Sequence, residues 1–212
     1  MATINPGEEV VIFEPYYENY GPDVILCGAT PRFVSLHAPD FSFRREELTA
    51  AFNDRTRAIV INSPNNPTGR VFSREDLEFI AQLCRKFDVL AITDEIYEHI
   101  LYDGAEHVPI WTLPDMKERT IAVNSVSKTF SVTGWRIGFI LASAELTASI
   151  RKVHDFLTVG AAAPLQEACA EAFRFTPDYY SELAEFYRER RDYLLGALED
   201  VGFRCVHPGG AY

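Results

Sequence analysis

This 212-residue sequence predicts an α/β fold: a mostly parallel sheet with one antiparallel strand and helices on both faces. Three observations carry that expectation. Short apolar runs alternate with amphipathic stretches of helical spacing along most of the chain, the pattern of strand–helix–strand crossover units. Within the runs, successive positions are apolar, as in strands buried on both faces. The last two runs are joined by about ten residues with no helical pattern. A crossover helix needs a dozen or more, so the second of these runs must return antiparallel to the first.

Taken in order, residues 1–9 read as a turn ahead of the strand Val10-Val11-Ile12-Phe13. An interior strand so near the start leads us to expect further sequence before Met1. Pro15-Tyr16-Tyr17 opens a segment to Cys27 with helical spacing, interrupted at Gly21-Pro22 because proline breaks a helix interior. Residues 30–37 are a second strand and 44–53 a short amphipathic helix. Arg57-Ala58-Ile59-Val60-Ile61-Asn62 is a third strand, ending in the loop Ser63-Pro64-Asn65-Asn66-Pro67-Thr68-Gly69. Ser73 is an N-cap, followed by Glu75 and Asp76 in the first turn, for a helix running to about Phe87. Val89-Leu90-Ala91-Ile92-Thr93 is the fourth strand and stops at Asp94-Glu95. Residues 96–118 carry a helical turn or two, then a loop with Pro109 and Pro114. Thr120-Ile121-Ala122-Val123-Asn124 and the run from Arg136 are the strands on either side of the short link. Helices are expected over 144–158, 164–174 and 177–201. The last turns its charges to one side and Leu183, Phe186, Tyr187, Leu194 and Leu198 to the other. Residues 203–206 begin a new strand.

Charge and cysteine usage exclude several function classes. Acidic side chains outnumber basic ones 31 to 20, a net charge of −11, with no basic face for a nucleic acid. The four cysteines are far apart and form no C-x-x-C pair, which reads as reduced thiols in a cytoplasmic protein. The five histidines show no metal-ligand spacing, so no metal is expected. No apolar run reaches the length of a membrane span.

Open parallel sheets bind ligands beyond the carboxyl ends of their strands. The third strand delivers Asn66 there, the fourth Asp94 and Tyr97, and the fifth Ser125. The link after Ser125 holds Lys128, one of only four lysines and the only one without charged neighbours, its first being Arg136. Each has a plain structural reading. Asn-Pro-Thr-Gly is a common turn, Asp94 can cap the next turn, and Tyr97 can be a core aromatic. Lys128 can be an exposed loop lysine. Together they meet one chemical demand, that of a pyridine-aldehyde cofactor. Such a cofactor needs an amine at its carbonyl, an anion at its ring nitrogen, donors at its ring oxygen, and a cation with hydroxyls at its phosphate.

Three motifs then carry a resemblance across the whole chain. They are Pro64-Asn65-Asn66-Pro67-Thr68-Gly69, Thr93-Asp94-Glu95-Ile96-Tyr97, and Ser125-Val126-Ser127-Lys128-Thr129-Phe130 with the following Thr133-Gly134-Trp135-Arg136-Ile137-Gly138. In order and spacing the sequence resembles the class I/II pyridoxal-phosphate aminotransferases of the aspartate aminotransferase-like fold, nearest the kynurenine and glutamine transaminases and broad-specificity bacterial enzymes. The resemblance implies that Lys128 carries pyridoxal 5'-phosphate as a Schiff base and later moves a proton at the substrate. Asp94 would pair with the ring nitrogen, Tyr97 and Asn66 with the ring oxygen, and Arg136, Ser125 and Ser127 with the phosphate. Tyr17, with Tyr16 as the alternative, would stack on the ring, and Pro67 would follow a cis peptide bond.

It further implies an L-amino acid and a 2-oxo acid as substrates and a homodimer whose sites form between subunits, with residues 156–163 reaching toward the partner. Residues 1–175 would be a large cofactor domain lacking its N-terminal part. Residues 176–212 would be a long helix and the start of a smaller domain. The family's glycine-containing phosphate segment and its substrate-carboxylate arginine would lie outside this sequence. A carbon–sulfur β-lyase on the same fold, or a cofactor-binding domain without turnover, would use the same residues.

Overall fold

A computed structural model describes residues 1–211. The elements are β1 (Glu9–Glu14), α1 (Tyr20–Leu26), β2 (Thr30–Ser35), α2 (Arg45–Ala51), β3 (Thr56–Asn62), α3 (Arg74–Phe87), β4 (Leu90–Asp94), β5 (Thr120–Ser125), β6 (Gly138–Leu141), α4 (Ala144–Thr158), α5 (Ala163–Ala172) and α6 (Pro177–Asp200). The six strands form one sheet in the order β2-β1-β3-β4-β5-β6. Every neighbouring pair is parallel except β5 with β6, as the short link requires.

Successive side chains of β1 point to opposite faces and enter two different cores. Val11 and Phe13 join Ile59, Ile61, Leu48 of α2, and Phe72, Leu77 and Ile80 around α3. Val10 and Ile12 join Ala58, Leu90 and Ile121, covered by Val24 of α1 and by Leu146 and Ile150 of α4. Each fully buried aliphatic side chain here contributes about 1.5–3 kcal/mol, so the sheet is clamped from both sides. α3 starts as its sequence predicts. The Ser73 hydroxyl accepts from the Asp76 amide, and the Asp76 carboxylate accepts from the Ser73 amide. Within α3, Cys84 is fully buried, and burial pushes its thiol up to about 12, out of reach of thiolate chemistry.

Four sequence expectations are corrected. Glu9 is the first residue of β1 and buried, its carboxylate held by Arg55, Arg32 and Asn53. Gly21-Pro22 does not interrupt a helix: α1 begins at Tyr20, so the proline occupies the first turn, where no amide partner is needed. The inward face of α6 is not the predicted apolar set. Leu183 and Tyr187 pack inward and Leu195 is buried, whereas Phe186 and Leu194 are exposed. The inward stripe therefore runs at four-residue steps through Arg191, whose side chain is 8% exposed. Arg191 reaches the core because its guanidinium makes a two-pronged bond to Asp103 at 2.6 and 3.1 Å and lies over the Tyr102 ring. Finally, residues 203–206 form no strand among the described residues, since a strand exists only with a pairing partner. The chain instead returns at residues 208–211 to the loops that follow β3 and β4.

That return is closely fitted. The Gly209 and Gly210 amides donate to the Gly69 carbonyl oxygen, and the Ala211 amide to that of Ile100. Arg191 holds the Pro208 carbonyl, and the Tyr102 hydroxyl donates to the carbonyl of Ala211. The segment thus lies directly on the loop that follows β3.

Candidate active site

Because β3, β4 and β5 run parallel, their last residues, Asn62, Asp94 and Ser125, emerge at one rim of the sheet. Asn62 lies beside Asp94, and Asp94 beside Val123. β6 returns with Gly138 opposite Ser125, which brings Arg136 back to the same rim. A side chain at Gly138 would meet the Asn124 carbonyl oxygen at 3.0 Å and Ser125 Cβ at 3.3 Å, so glycine allows the two strands to close there.

The rim opens into a cavity of about 850 Å³. Eight of the residues named from the sequence border it: Tyr17, Asn66, Asp94, Tyr97, Ser125, Ser127, Lys128 and Arg136. Tyr16, the alternative to Tyr17, does not border it and stacks on Phe33 with ring centroids 5.3 Å apart.

One wall is built from the strand ends. Asp94 Oδ2 accepts a 2.6 Å hydrogen bond from the Tyr20 hydroxyl, and Oδ1 accepts from the Ile96 amide at 3.3 Å. Burial raises the Asp94 pKa above the usual carboxylate range, with the two hydrogen bonds opposing that rise and neighbouring Glu95 adding to it. Tyr20 is raised as well, first by burial and then by the adjacent Asp94 charge. Asp94 does cap the following turn, as its plain reading allows, but with one oxygen only. Asn62 Oδ1 accepts from the Asn66 amide at 2.7 Å, and Asn62 Nδ2 donates to the Asp94 carbonyl at 3.0 Å. The loop after β3 is thereby tied to the end of β4. Asn66 Nδ2 in turn donates to the Tyr97 hydroxyl at 3.5 Å, and the Tyr97 ring is buried. The Asn66–Pro67 bond is cis.

The other wall is the link between β5 and β6. It is coiled on itself: the Ser127 amide donates to Ser125 Oγ at 3.1 Å, and Thr133 Oγ1 donates to the Ser127 carbonyl at 3.2 Å. Ser127 is buried and Lys128 half-buried. Ser131 and Arg136 sit in the left-handed region at φ 55° and 56°, conformations that cost a non-glycine residue energy and persist only when the surrounding loop fixes them. Arg136 is exposed and donates through Nη1 to the Thr133 carbonyl at 3.1 Å.

Two residues of the first wall escaped the sequence reading. Asn62 carried a signal, as a polar residue closing an apolar strand. Tyr20 carried none, because its partner is 74 positions away. The sequence also did not show that Glu95, Glu98 and His107 converge. There, His107 Nε2 bonds Glu95 at 3.0 Å, Thr93 Oγ1 donates to Glu95 at 2.7 Å, and Asn124 Nδ2 donates to Glu98 at 2.5 Å, bonds that tie the segment after β4 to β4 and β5.

Comparison with known proteins is consistent with this architecture. The chain is 39% identical to human kynurenine–oxoglutarate transaminase 3, matching all of this chain and 50% of that protein. It is 35% identical to the methionine aminotransferase of Escherichia coli K12, again over the whole chain and 55% of that protein. The N-succinyldiaminopimelate aminotransferase of Mycobacterium tuberculosis superposes with a TM-score of 0.96 at 38% identity, over all of this chain and 56% of that one. The chain thus spans about half the length of these relatives. The family model for aminotransferase class I and II matches residues 1–212, and the chain belongs to that family.

Proposed function

We propose that this chain is the pyridoxal-phosphate-binding part of an enzyme that transfers an amino group from an L-amino acid to a 2-oxo acid. The observation that carries the reading is that Lys128 and Asp94, 34 positions apart, border one cavity together with Asn66, Tyr97 and Arg136. At about 850 Å³ the cavity falls within the range of small-molecule sites. Its donor set also suits the cofactor group by group: a primary amine, a carboxylate with free lone pairs, two ring-oxygen partners, and a guanidinium beside two hydroxyls.

In this reading Lys128 Nζ would hold the cofactor at its carbonyl carbon and, as a free amine, would take a proton from the substrate Cα. When bound, pyridoxal phosphate supplies a protonated ring that accepts the electron pair left on that carbon. Asp94 would pair with the ring nitrogen and hold its proton by charge. Asn66 and Tyr97 would orient the ring through its oxygen. Arg136, with Ser125 and Ser127, would anchor the phosphate through charge-assisted bonds, and Tyr17 would stack on the ring. Residues 1–175 serve as the large domain, and 176–212 as the long helix and start of a smaller one. Exposed Phe156 and Val159, 91% and 82% accessible at the end of α4, support assembly as a homodimer. Four free cysteines support a reducing compartment, the cytoplasm.

The test is chemical. After incubation with pyridoxal phosphate and reduction with borohydride, peptide mapping should find the label on Lys128 and lose it in Lys128→Ala. Equal labelling of another lysine would overturn the assignment. A cysteine conjugate that yielded pyruvate, ammonia and thiol, with no amino acid formed from an added 2-oxo acid, would overturn transamination.

A further inference from the structure

The cavity holds one polar contact that the proposed chemistry does not require and that physical argument makes consequential, the bond between Tyr20 and Asp94. We propose that Tyr20 is a positioning residue for the ring-facing carboxylate: its hydroxyl grips Asp94 Oδ2, fixes the plane of the carboxyl group, and leaves the other lone pairs directed at a pyridine-type nitrogen. This inference rests on the cofactor reading above and adds to it a residue that none of the three motifs contains.

Three observations support it. At 2.6 Å the bond is as short as a hydroxyl–carboxylate contact becomes when the acceptor is charged. The second bond to Asp94, from the Ile96 amide, is long at 3.3 Å and comes from the carboxylate's own turn. Of these two bonds, the one from Tyr20 ties the carboxylate to a different element, the start of α1. Tyr20 is itself held, its ring packing edge-on against Tyr17 with centroids 5.8 Å apart, so the proposed stacking residue and the anchor of the carboxylate are one unit.

The electrostatics point the same way. Burial works against the Asp94 charge, and the Tyr20 bond is the larger of the two hydrogen bonds that restore it. The hydroxyl is pushed far above an ordinary phenol, first by burial and then by Asp94, so it stays a donor and does not become a base. The other titratable groups near this pair are Glu95, Tyr97 and Tyr17, with Lys128, Arg136, Arg151 and His154 also bordering the cavity. No carboxylate among them other than Glu95 acts on Asp94, and Glu95 opposes its charge.

The experiment uses the chain without cofactor first. With ¹³C-labelled aspartate, the Asp94 carboxyl titration should move to higher pH in Tyr20→Phe, which removes the hydroxyl and keeps the ring against Tyr17. An unmoved midpoint overturns the proposal. In the same variant, pyridoxal phosphate should bind about tenfold more weakly, the loss expected for one hydrogen bond to a charged group. A moved midpoint with unchanged affinity would mean that the bond exists without positioning anything, and would also overturn it. Should Tyr20→Phe not fold, Asp94→Asn with ¹³Cζ-labelled tyrosine gives the reciprocal test. The Tyr20 titration should fall toward that of an ordinary phenol, and no change overturns the proposal. These titrations need no cofactor, so they can fail while Lys128 is still labelled after borohydride. Absence of that label would instead sink the cofactor reading and leave the Tyr20–Asp94 coupling measured in its own right.

Discussion

Asp94 is gripped by groups from far along the chain, whereas Arg136, on the same cavity, is aimed by its own loop. Tyr20 reaches Asp94 across 74 residues, and Asn62 ties the Asn66 amide to the end of β4 across 32. The link from Ser125 to Arg136 is folded mostly by bonds spanning two to six residues, with two left-handed non-glycine positions, and takes one distant tie, from the Tyr179 hydroxyl of α6 to the Thr129 carbonyl. Burial accounts for the difference. A carboxylate withdrawn from water must be met by fixed donors, and fixed donors come from the rigid body of the fold. A guanidinium at an exposed edge keeps its water and needs only local backbone to point it. The anion's place is thus set by partners across the sheet, and the cation's place mostly within twelve residues of chain, with Tyr179 as their tie to the rest of the fold.

Three measurements sharpen or break that contrast. The largest effect is expected at Arg136. Arg136→Ala should weaken pyridoxal phosphate binding about 10- to 100-fold, the value of charge-assisted bonds to a phosphate. Pyridoxal, which lacks the phosphate, should bind within about twofold of its original affinity. Equal losses for both ligands would show that Arg136 shapes the loop and does not anchor a phosphate.

Next in size is a pH effect at Asp94. Its folded pKa is raised above the unfolded value, so the folded chain binds that proton more tightly. The associated stability is fully present below the unfolded carboxyl pKa and is lost as pH rises through the folded one. Urea unfolding of the cofactor-free chain should therefore show a stability that declines over that interval, and Asp94→Asn should flatten the decline. Identical pH profiles for the two chains would mean that the carboxylate is solvated and that the two walls do not differ as described.

The smallest effect is expected at Ser125. Ser125→Ala removes the acceptor for the Ser127 amide and one proposed phosphate donor, and water can take the hydroxyl's place at a phosphate, so pyridoxal phosphate affinity should fall only about threefold. A drop as large as that in Arg136→Ala would show that the loop depends on one hydroxyl for its shape.

The same contrast explains what could be read from sequence. The parallel sheet was legible because buried strands are apolar at every position, and the antiparallel β6 because its link is too short for a helix. The loop wall was legible because Ser125, Lys128 and Arg136 lie within one stretch of chain. Tyr20 was not, since nothing near it in sequence distinguishes a tyrosine that meets a buried carboxylate from one that meets solvent. The inward stripe of α6 failed for a related reason. An arginine at position 191 reads as surface until Asp103, 88 residues away, is known to receive it. Local periodicity reports which faces are apolar, and partners distant in sequence decide which polar groups are drawn inside.

The contact between Gly69 and the returning segment has a consequence for how this chain can vary. Gly69 sits at φ +70°, and a Cβ there would come within 2.2 Å of Pro208 Cβ. The Pro208 Cα and the Gly210 carbonyl oxygen lie 3.0 and 3.1 Å from the same point, so a library randomised at 69 should return glycine whatever side chain stands at 208.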